Sequence, residues 1–324
     1  MSCYLCKNCN GILIYNSIKK SFICDSCNTQ YQKEDLQSLT SNKIQDDFIV
    51  CESCGASNKI DTLTTSLICD YCKTPIIVDE RISNIKFIIP PVINKQKALE
   101  IFKNWRKNHI LAPNEFLSLN RLKKIKLTYI PYYFCNINGD SNISVNCSTI
   151  SRHIEGNYEI TTTYNYEVFL SANFKINNFY NLADSKNSFN SFSEPFNITE
   201  LNDFHPAYLN NINSYLPDKD FEYFIPQIKN EISNIIPNEL LKNITEFQNK
   251  ILQTTDTSSN INNHSIAYMP VWLSSYKSLN GKDYFVILNA QTGKITGYSP
   301  ISKIKLFILF LIFNIIFMLI LSLL

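Results

Sequence analysis

Three parts are predicted for this chain: a small domain of tandem metal-stapled β-hairpins, an α+β domain with antiparallel sheet, and one C-terminal transmembrane helix. Three observations predict them: cysteine pairs repeated at constant spacing near the N-terminus, a long stretch of alternating polarity in the middle, and an unbroken apolar run at the end. At 324 residues the chain can build one large domain or two to three smaller ones, each with a proper core.

The cysteines come first. "CKNCNGILIYNSIKKSFICDSC" and "CESCGASNKIDTLTTSLICDYC" each carry two Cys-x-x-Cys pairs with fourteen residues between them. Cys6, Cys9, Cys24 and Cys27 map onto Cys51, Cys54, Cys69 and Cys72 at a constant offset of 45, and the flanks "SFICDSC" and "SLICDYC" agree. This is an internal duplication. Four thiolates around Zn²⁺ need two close pairs that bend back on each other, and a β-hairpin between two knuckles brings them together. The eight cysteines are therefore expected to hold two structural zinc ions in tandem zinc ribbons at 1–78, ribbon one at 4–35 and ribbon two at 49–78.

The residue after each second cysteine often needs a left-handed backbone, which Asn10, Asn28 and Gly55 suit and Lys73 does not. Disulfides are the competing reading of paired cysteines, and a reducing cytosol disfavours them. Cys3 offers an alternative partner in "CYLCKNC", but the repeat matches Cys6 and Cys9. Cys135 and Cys147 stand alone and read as ordinary half-buried thiols.

Charge limits what such a module can touch. Residues 1–78 hold seven Lys, no Arg and eight acidic residues. Each Cys₄–Zn²⁺ centre adds a formal −2, so the loaded pair carries about −5. Phosphate binding relies on clustered Lys and Arg, and base readout leans on Arg. The balance argues against a nucleic-acid partner. A second basic cluster, "RLKKIK" at 121–126, reads as a solvated face, with anionic lipid headgroups as the alternative.

A linker at 79–93 leads to the α+β domain, expected over 94–300. Asn94 suits an N-cap, Ala98, Ile101, Phe102 and Trp105 form a stripe at helical spacing, and Pro113 ends the segment. "YEITTTYNYEVFLSANFKI" alternates strictly and reads as a strand, with "EGN" at 155–157 as a hairpin turn before it. "YFIPQIKNEISNIIPNELLKNITEFQNKIL" reads as helix interrupted at Pro237. "AYMPVWLSSYKSLNGKDYFVILNAQTGKITGYSP" reads as a β-meander with turns at Asn280-Gly281 and Thr292-Gly293.

From Leu306 to Leu324 the sequence is "LFILFLIFNIIFMLILSLL", in which only Asn314 and Ser322 are polar. At about 1.5 Å per residue such a helix spans roughly 28 Å, close to the hydrocarbon thickness of a bilayer. Lys303 and Lys305 precede it, so the positive-inside tendency puts the preceding chain in the cytoplasm. The opening "MSCYLCKNC" lacks the marks of a secretory signal. A tail-anchored, cytosol-facing protein in the cell membrane is expected.

Nothing supports catalysis. His109, His153, His205 and His264 form no His-Glu-x-x-His and adjoin no nucleophile motif, and the seven glycines build no phosphate-cradling loop. No small-molecule substrate is evident, and the expectation is that the chain is not an enzyme.

Two aromatic-proline boxes, "YIPYYF" at 129–134 and "YMPVWL" at 268–273, accompany "ALEIFKNWRKNHILAP", "FHPAYL" at 204–209 and "NAQTGKITGYSP". In the last of these Asn289, Gln291, Thr292, Gly293, Lys294 and Gly297 carry the match. With the ribbon pair, these features resemble a family of bacterial double-zinc-ribbon membrane proteins, often labelled TFIIB-type zinc ribbon or replication factor Y-like. The helicase motifs that the second label implies are missing here. The resemblance implies an association with membrane-stress proteins of the phage-shock and SPFH/band-7 types. The prolines of the boxes are expected on bent edge strands.

The leading expectation is thus a membrane-anchored zinc-ribbon adapter that binds other membrane-associated proteins, in envelope stress or membrane organisation. The alternatives are a membrane-tethered nucleic-acid-binding protein of replication or transcription and a thiol or zinc redox sensor.

Overall fold

A computed structural model describes residues 3–36, 44–45, 47–114, 125–185, 195–277, 283–297, 299 and 301–323. The chain divides into two compact units. One comprises Met1–Tyr132, Asp184–Asp218 and Ile266–Leu324; the other comprises Tyr133–Ala183 and Lys219–Ser265. The cysteine repeats therefore share a unit with much of the expected α+β domain, while the middle of that domain forms a unit of its own.

In the first unit, β1 (Leu13–Asn16), β2 (Ser21–Cys24) and β3 (Gln30–Tyr31) make a three-stranded antiparallel sheet. β4 (Ile44–Gln45), β5 (Phe48–Val50) and β6 (Ser57–Lys59) make a second one. β7 (Thr64–Ile68) and β8 (Pro75–Ile77) follow. By the repeat, β7 and β8 correspond to β2 and β3, and their register is the same: Leu67 faces Ile76 as Phe22 faces Tyr31. The surroundings differ. β1 pairs with β2, whereas β7 turns its other edge to β13 (Asn213–Tyr215) and so enters a ten-stranded sheet. The second cysteine repeat is thus built into the large sheet, and the duplication does not fold as two equal copies.

That sheet also takes in β9 (Ile85–Ile88), β10 (Lys126–Glu155), β11 (Tyr158–Leu182), β12 (Asn202–Asp203), β14 (Asn249–Lys277), β15 (Asp283–Asn289) and β16 (Ile295–Gly297). Antiparallel pairing prevails among the described residues, as expected, but β10 with β13 and β14 with β9 run parallel. The expected meander is present as β14–β15–β16, all antiparallel. Its first turn, Asn280-Gly281, lies outside the described residues; at the second, Gly293 has φ 83°.

The aromatic-proline boxes are a correction: they lie on β10 and β14, interior strands, and both prolines are buried. The ladder tolerates them because each sits where a neighbouring strand ends. Pro270 falls between the last contact of β14 with β9, at Tyr268, and its first with β15, at Val271. Pro131 lies just past Tyr129, where the pairing with β13 stops. A proline costs a ladder bond only where a partner is waiting for its N–H.

Helix α1 (Lys95–Lys107) is capped by Asn94, whose side chain accepts from the Lys97 amide at 2.9 Å. It ends at Lys107, ahead of Pro113. Ala98 and Phe102 bury against Trp272, Leu288 and Ala290, and the Trp272 indole N–H donates to the Ile93 carbonyl at 2.8 Å.

In the second unit, Gly156 (φ 64°) and Asn157 turn β10 into β11, where the hairpin was expected. Helix α2 (Phe221–Asn243) buries Phe221, Phe224, Ile228 and Ile232 and packs the half-buried Leu240 and Leu241 beside Ile143, Val145, Val168 and Leu170 of the strands. Two corrections arise here. Pro226 and Pro237 both lie inside a continuous helix, and residues from Asn249 onward are strand. An interior proline costs about 3 kcal/mol. Beside Pro237, the Asn234 and Asn238 side-chain amides donate to the carbonyls of Asn230 and Asn234, at 2.9 and 2.7 Å, and Pro237 itself is buried.

Helix α3 (Lys303–Leu323) completes the described chain. Its segment Lys303–Leu321 is long and apolar enough to cross a membrane, and none of it is buried.

Candidate metal centres

All four knuckles share one backbone design. The first cysteine's N–H donates to the carbonyl five residues on: Cys6 to Gly11, Cys24 to Thr29, Cys51 to Ala56 and Cys69 to Thr74, at 2.8 to 3.0 Å. The residue four places on donates back: Asn10, Asn28, Gly55 and Lys73 reach the carbonyls of Cys6, Cys24, Cys51 and Cys69 at 2.8 to 3.1 Å. Closing this loop puts the fifth residue in the left-handed region, with φ of 58°, 59°, 73° and 65°. Lys73 therefore adopts the conformation that its counterparts reach more cheaply. The knuckle geometry overrides the side chain.

Two groups of sulfurs result, Cys6, Cys9, Cys24 and Cys27, then Cys51, Cys54, Cys69 and Cys72, each with all four atoms within 4.8 Å of one another. Cross-knuckle sulfur separations are 3.5 Å (Cys6–Cys27), 3.4 Å (Cys9–Cys24), 3.6 Å (Cys51–Cys72) and 3.8 Å (Cys54–Cys69). A tetrahedron with metal–sulfur bonds of about 2.3 Å sets its sulfurs roughly 3.8 Å apart. The donor set and its spacing fit Zn²⁺. In each knuckle the first cysteine is buried and the second exposed, so each centre has an inner side fixed by the core and an outer side at the surface.

The surroundings favour thiolates unevenly. The amides of Asn8 and Cys9 point at Cys6, and those of Ser53 and Cys54 at Cys51. The Tyr31 hydroxyl, 3.2 Å from Cys6 Sγ, is the main cause that lowers that thiol to about 6. The repeat puts Ile76 where Tyr31 stands, and Cys51, without that hydroxyl, is pushed by burial up to about 12. Thr29 and Thr74, equivalent by the repeat, set their hydroxyls 3.0 and 3.2 Å from Cys27 and Cys72. Each is the first cause lowering its cysteine, Cys72 to about 6. Sequence reasoning missed these threonines, although "CNT" and "CKT" at the repeat offset marked them.

Asn58 was missed too. It occupies the position of Leu13 in the repeat, is buried, donates to Cys69 Sγ at 3.5 Å and accepts from the Asp70 amide at 3.0 Å. In the first module the Ile12 carbonyl takes the Asp25 amide instead. A side chain thus does in the second module what a backbone carbonyl does in the first. Cys3 belongs to neither group of four; burial raises it to about 11, and its acidic neighbours are Glu52 and Cys72 of the second module.

The first module is held from outside by "FHPAYLN". The buried Asn210 accepts from the Tyr4 amide at 3.1 Å and donates to the carbonyls of Tyr4 and Leu13, each at 2.7 Å. Tyr208 packs on Tyr15 and Phe22, and His205 on Tyr4. The "NAQTG" motif is a turn lock: Asn289 Oδ1 accepts from the amides of Gln291 and Thr292, and its amide reaches the Pro195 carbonyl at 3.1 Å. The other histidines have separate roles. His109 stacks on Trp105 and His264 on Phe221, while His153 is exposed.

No protein-family profile and no solved structure matches the chain. It is similar to a curated relative, the uncharacterized protein YdjG of Bacillus subtilis (strain 168), with 28% identity over 315 residues that cover 93% of this chain and 91% of the relative.

Proposed function

We propose that this chain is a membrane-anchored adapter. Two zinc ribbons, carried on the body from which the spanning helix leaves, offer a docking surface to another membrane-associated protein on the cytoplasmic side. The observation behind this reading is the exposure of Phe48, Val50 and Tyr71 around the second Cys₄ group, with Tyr71 at 71%. Tyr71 lies between two ligands, Cys69 and Cys72, so it cannot retreat into a core. Exposed aromatic and aliphatic side chains on a rigid support, next to Glu52 and Asp70, suit a partner with apolar and basic groups. The acidic, Arg-free module speaks against nucleic acid. Lys303 and Lys305 at the head of the helix support the cytoplasmic orientation. A role in envelope stress or membrane organisation is what the family resemblance implies.

The test is co-purification of the full-length protein from membranes, repeated with Phe48→Ser/Tyr71→Ala and with Cys51→Ser/Cys54→Ser. Both variants should lose a partner that the wild type retains. If both kept every partner, the adapter reading would be wrong. Titrating the full chain against DNA and RNA at rising salt should give a flat response, and a steep slope would move the reading to nucleic acid.

A further inference from the structure

We infer that the end of α1 and the head of α3 together form a collar that binds an anionic bilayer surface. The inference rests on reading α3 as a membrane span. Three hydrogen bonds tie the segment just past α1, Ile110–Ala112, to the head of α3. Lys305 Nζ donates to the carbonyls of Ala112 and Ile110 at 2.7 and 3.1 Å, and the Ser302 amide donates to the Leu111 carbonyl at 2.8 Å. The unbroken apolar run starts at Leu306, one residue after Lys305. Where α3 enters hydrocarbon, residues 110–112 are therefore held at the boundary, although they lie almost two hundred residues away in sequence.

The side chains at this level fit that boundary. Ile110 (72% exposed), Ile301 (64%) and Ile304 (74%) are large apolar groups left open to solvent. Beside them stand two exposed ammonium groups, Lys107 in the last turn of α1 and Lys303 at the head of α3. Lys107 is only three residues from Ile110, so its backbone lies within about 10 Å of the tie point. Helix α1 carries five basic residues against a single acid, Glu100, which is engaged by Lys97 at 3.2 Å. Half-buried Trp105, stacked on His109 at 3.9 Å, adds the aromatic character typical of interfaces. Exposed isoleucines dip below the headgroups while the ammonium groups of Lys107 and Lys303 meet lipid phosphates, the arrangement of an interfacial anchor.

The chain contains two tryptophans, which makes depth measurable. In a Trp105→Phe/Trp272→Phe background, Ile110→Trp reports the collar and Phe313→Trp reports the middle of α3. Each full-length variant is reconstituted into vesicles of phosphatidylcholine alone, or of equal phosphatidylcholine and phosphatidylglycerol, with lipids spin-labelled at the headgroup or in mid-chain. The expected result has two parts. The mid-chain label quenches Phe313→Trp; the headgroup label quenches Ile110→Trp more strongly in the anionic vesicles, and Lys107→Gln/Lys303→Gln removes that increment. Quenching of Phe313→Trp with none of Ile110→Trp, or with an Ile110→Trp signal indifferent to lipid charge and to the lysine changes, would overturn the collar and leave the span standing. Failure to quench Phe313→Trp by the mid-chain label would overturn the span reading, and the collar with it.

Discussion

Lys73 holds a left-handed backbone, φ 65°, that three counterparts fill with Asn10, Asn28 and Gly55. For a residue with a long side chain that conformation costs roughly 1–2 kcal/mol. Its ammonium recovers little, since the bond to the Asp70 carbonyl is exposed. Lys73→Gly or Lys73→Asn should therefore raise the denaturant midpoint of the zinc-loaded protein, by about 0.5–1 kcal/mol in stability. An unchanged or lower midpoint would mean that the knuckle does not bear this strain. Gly11 sets the opposite constraint. A Cβ there would lie 2.7 Å from Cys24 Sγ and 2.7 Å from Ser26 Oγ. Gly11→Ala should cost the first centre its metal and spare the second, so measured zinc per chain should fall from two towards one. The cysteine positions, their grouping and three of the four left-handed residues were readable from spacing alone, because covalent geometry leaves a Cys-x-x-Cys loop few shapes. Thr29, Thr74 and Asn58 escaped notice because a hydroxyl or amide aimed at sulfur has no periodicity of its own.

Among elements, the short turn Pro206–Leu209 with its flanks His205 and Asn210 does the most to fix the first module. Asn210 satisfies one buried amide and two buried carbonyls. Unsatisfied buried groups cost about 1–3 kcal/mol each. Asn210→Ala should thus destabilise the first unit by roughly 3 kcal/mol, visible as faster hydrogen exchange at Tyr4 and Leu13. Exchange at wild-type rates would show that the clamp is dispensable. His205 adds a pH dependence. Its Nδ1 accepts from the Ala207 amide at 3.2 Å, which only the neutral ring can do, and burial lowers its pKa. The unfolded chain then takes up a proton first, so stability is full above the ordinary histidine range and falls as pH drops through it. His205→Gln should flatten that part of the stability–pH curve, and a slope like the wild type's would exclude His205 as its source. Local signals found the α1 cap, the 156–157 turn and the meander. They failed where partners are distant: β7 joins β13 through pairing at Ser66 and Ser214, and no pattern inside "TTSLI" announces it. The prolines misled for the same reason, since whether Pro131 or Pro270 harms a strand depends on where its neighbours stop.

For the whole molecule, the question is whether the metal sites and the sheet fold together. Tyr4, Cys6, Leu13, Phe22 and Cys24 of the first module share one core with Ile88, Tyr129, Leu209 and Tyr268. The second module is stitched in by buried hydroxyls: Thr65 Oγ1 lies 2.6 Å from Ser214 Oγ and 2.7 Å from Tyr268 Oη. By contrast, the core of Ile143, Val145, Cys147 and Ile244 in the other unit contains no metal ligand. Structural zinc contributes about 10–16 kcal/mol to small domains, as much as the whole stability of a typical domain. Two modules fused to a shared core should therefore take that core with them when the metal leaves. Loading the full-length protein with zinc and then chelating the metal should abolish exchange protection at Ile88, Tyr129 and Tyr268 while Ile143, Val145, Val168 and Leu170 keep theirs. Had the modules been independent appendages, as the linker expected at 79–93 implies, chelation would leave Tyr129 and Tyr268 protected. That outcome would refute the coupling. The hydroxyl stitch offers a separate check: Ser214→Ala leaves Thr65 and Ser66 one partner short and should lower the chelator concentration needed for half-unfolding, without altering the zinc content of the zinc-loaded protein before chelation.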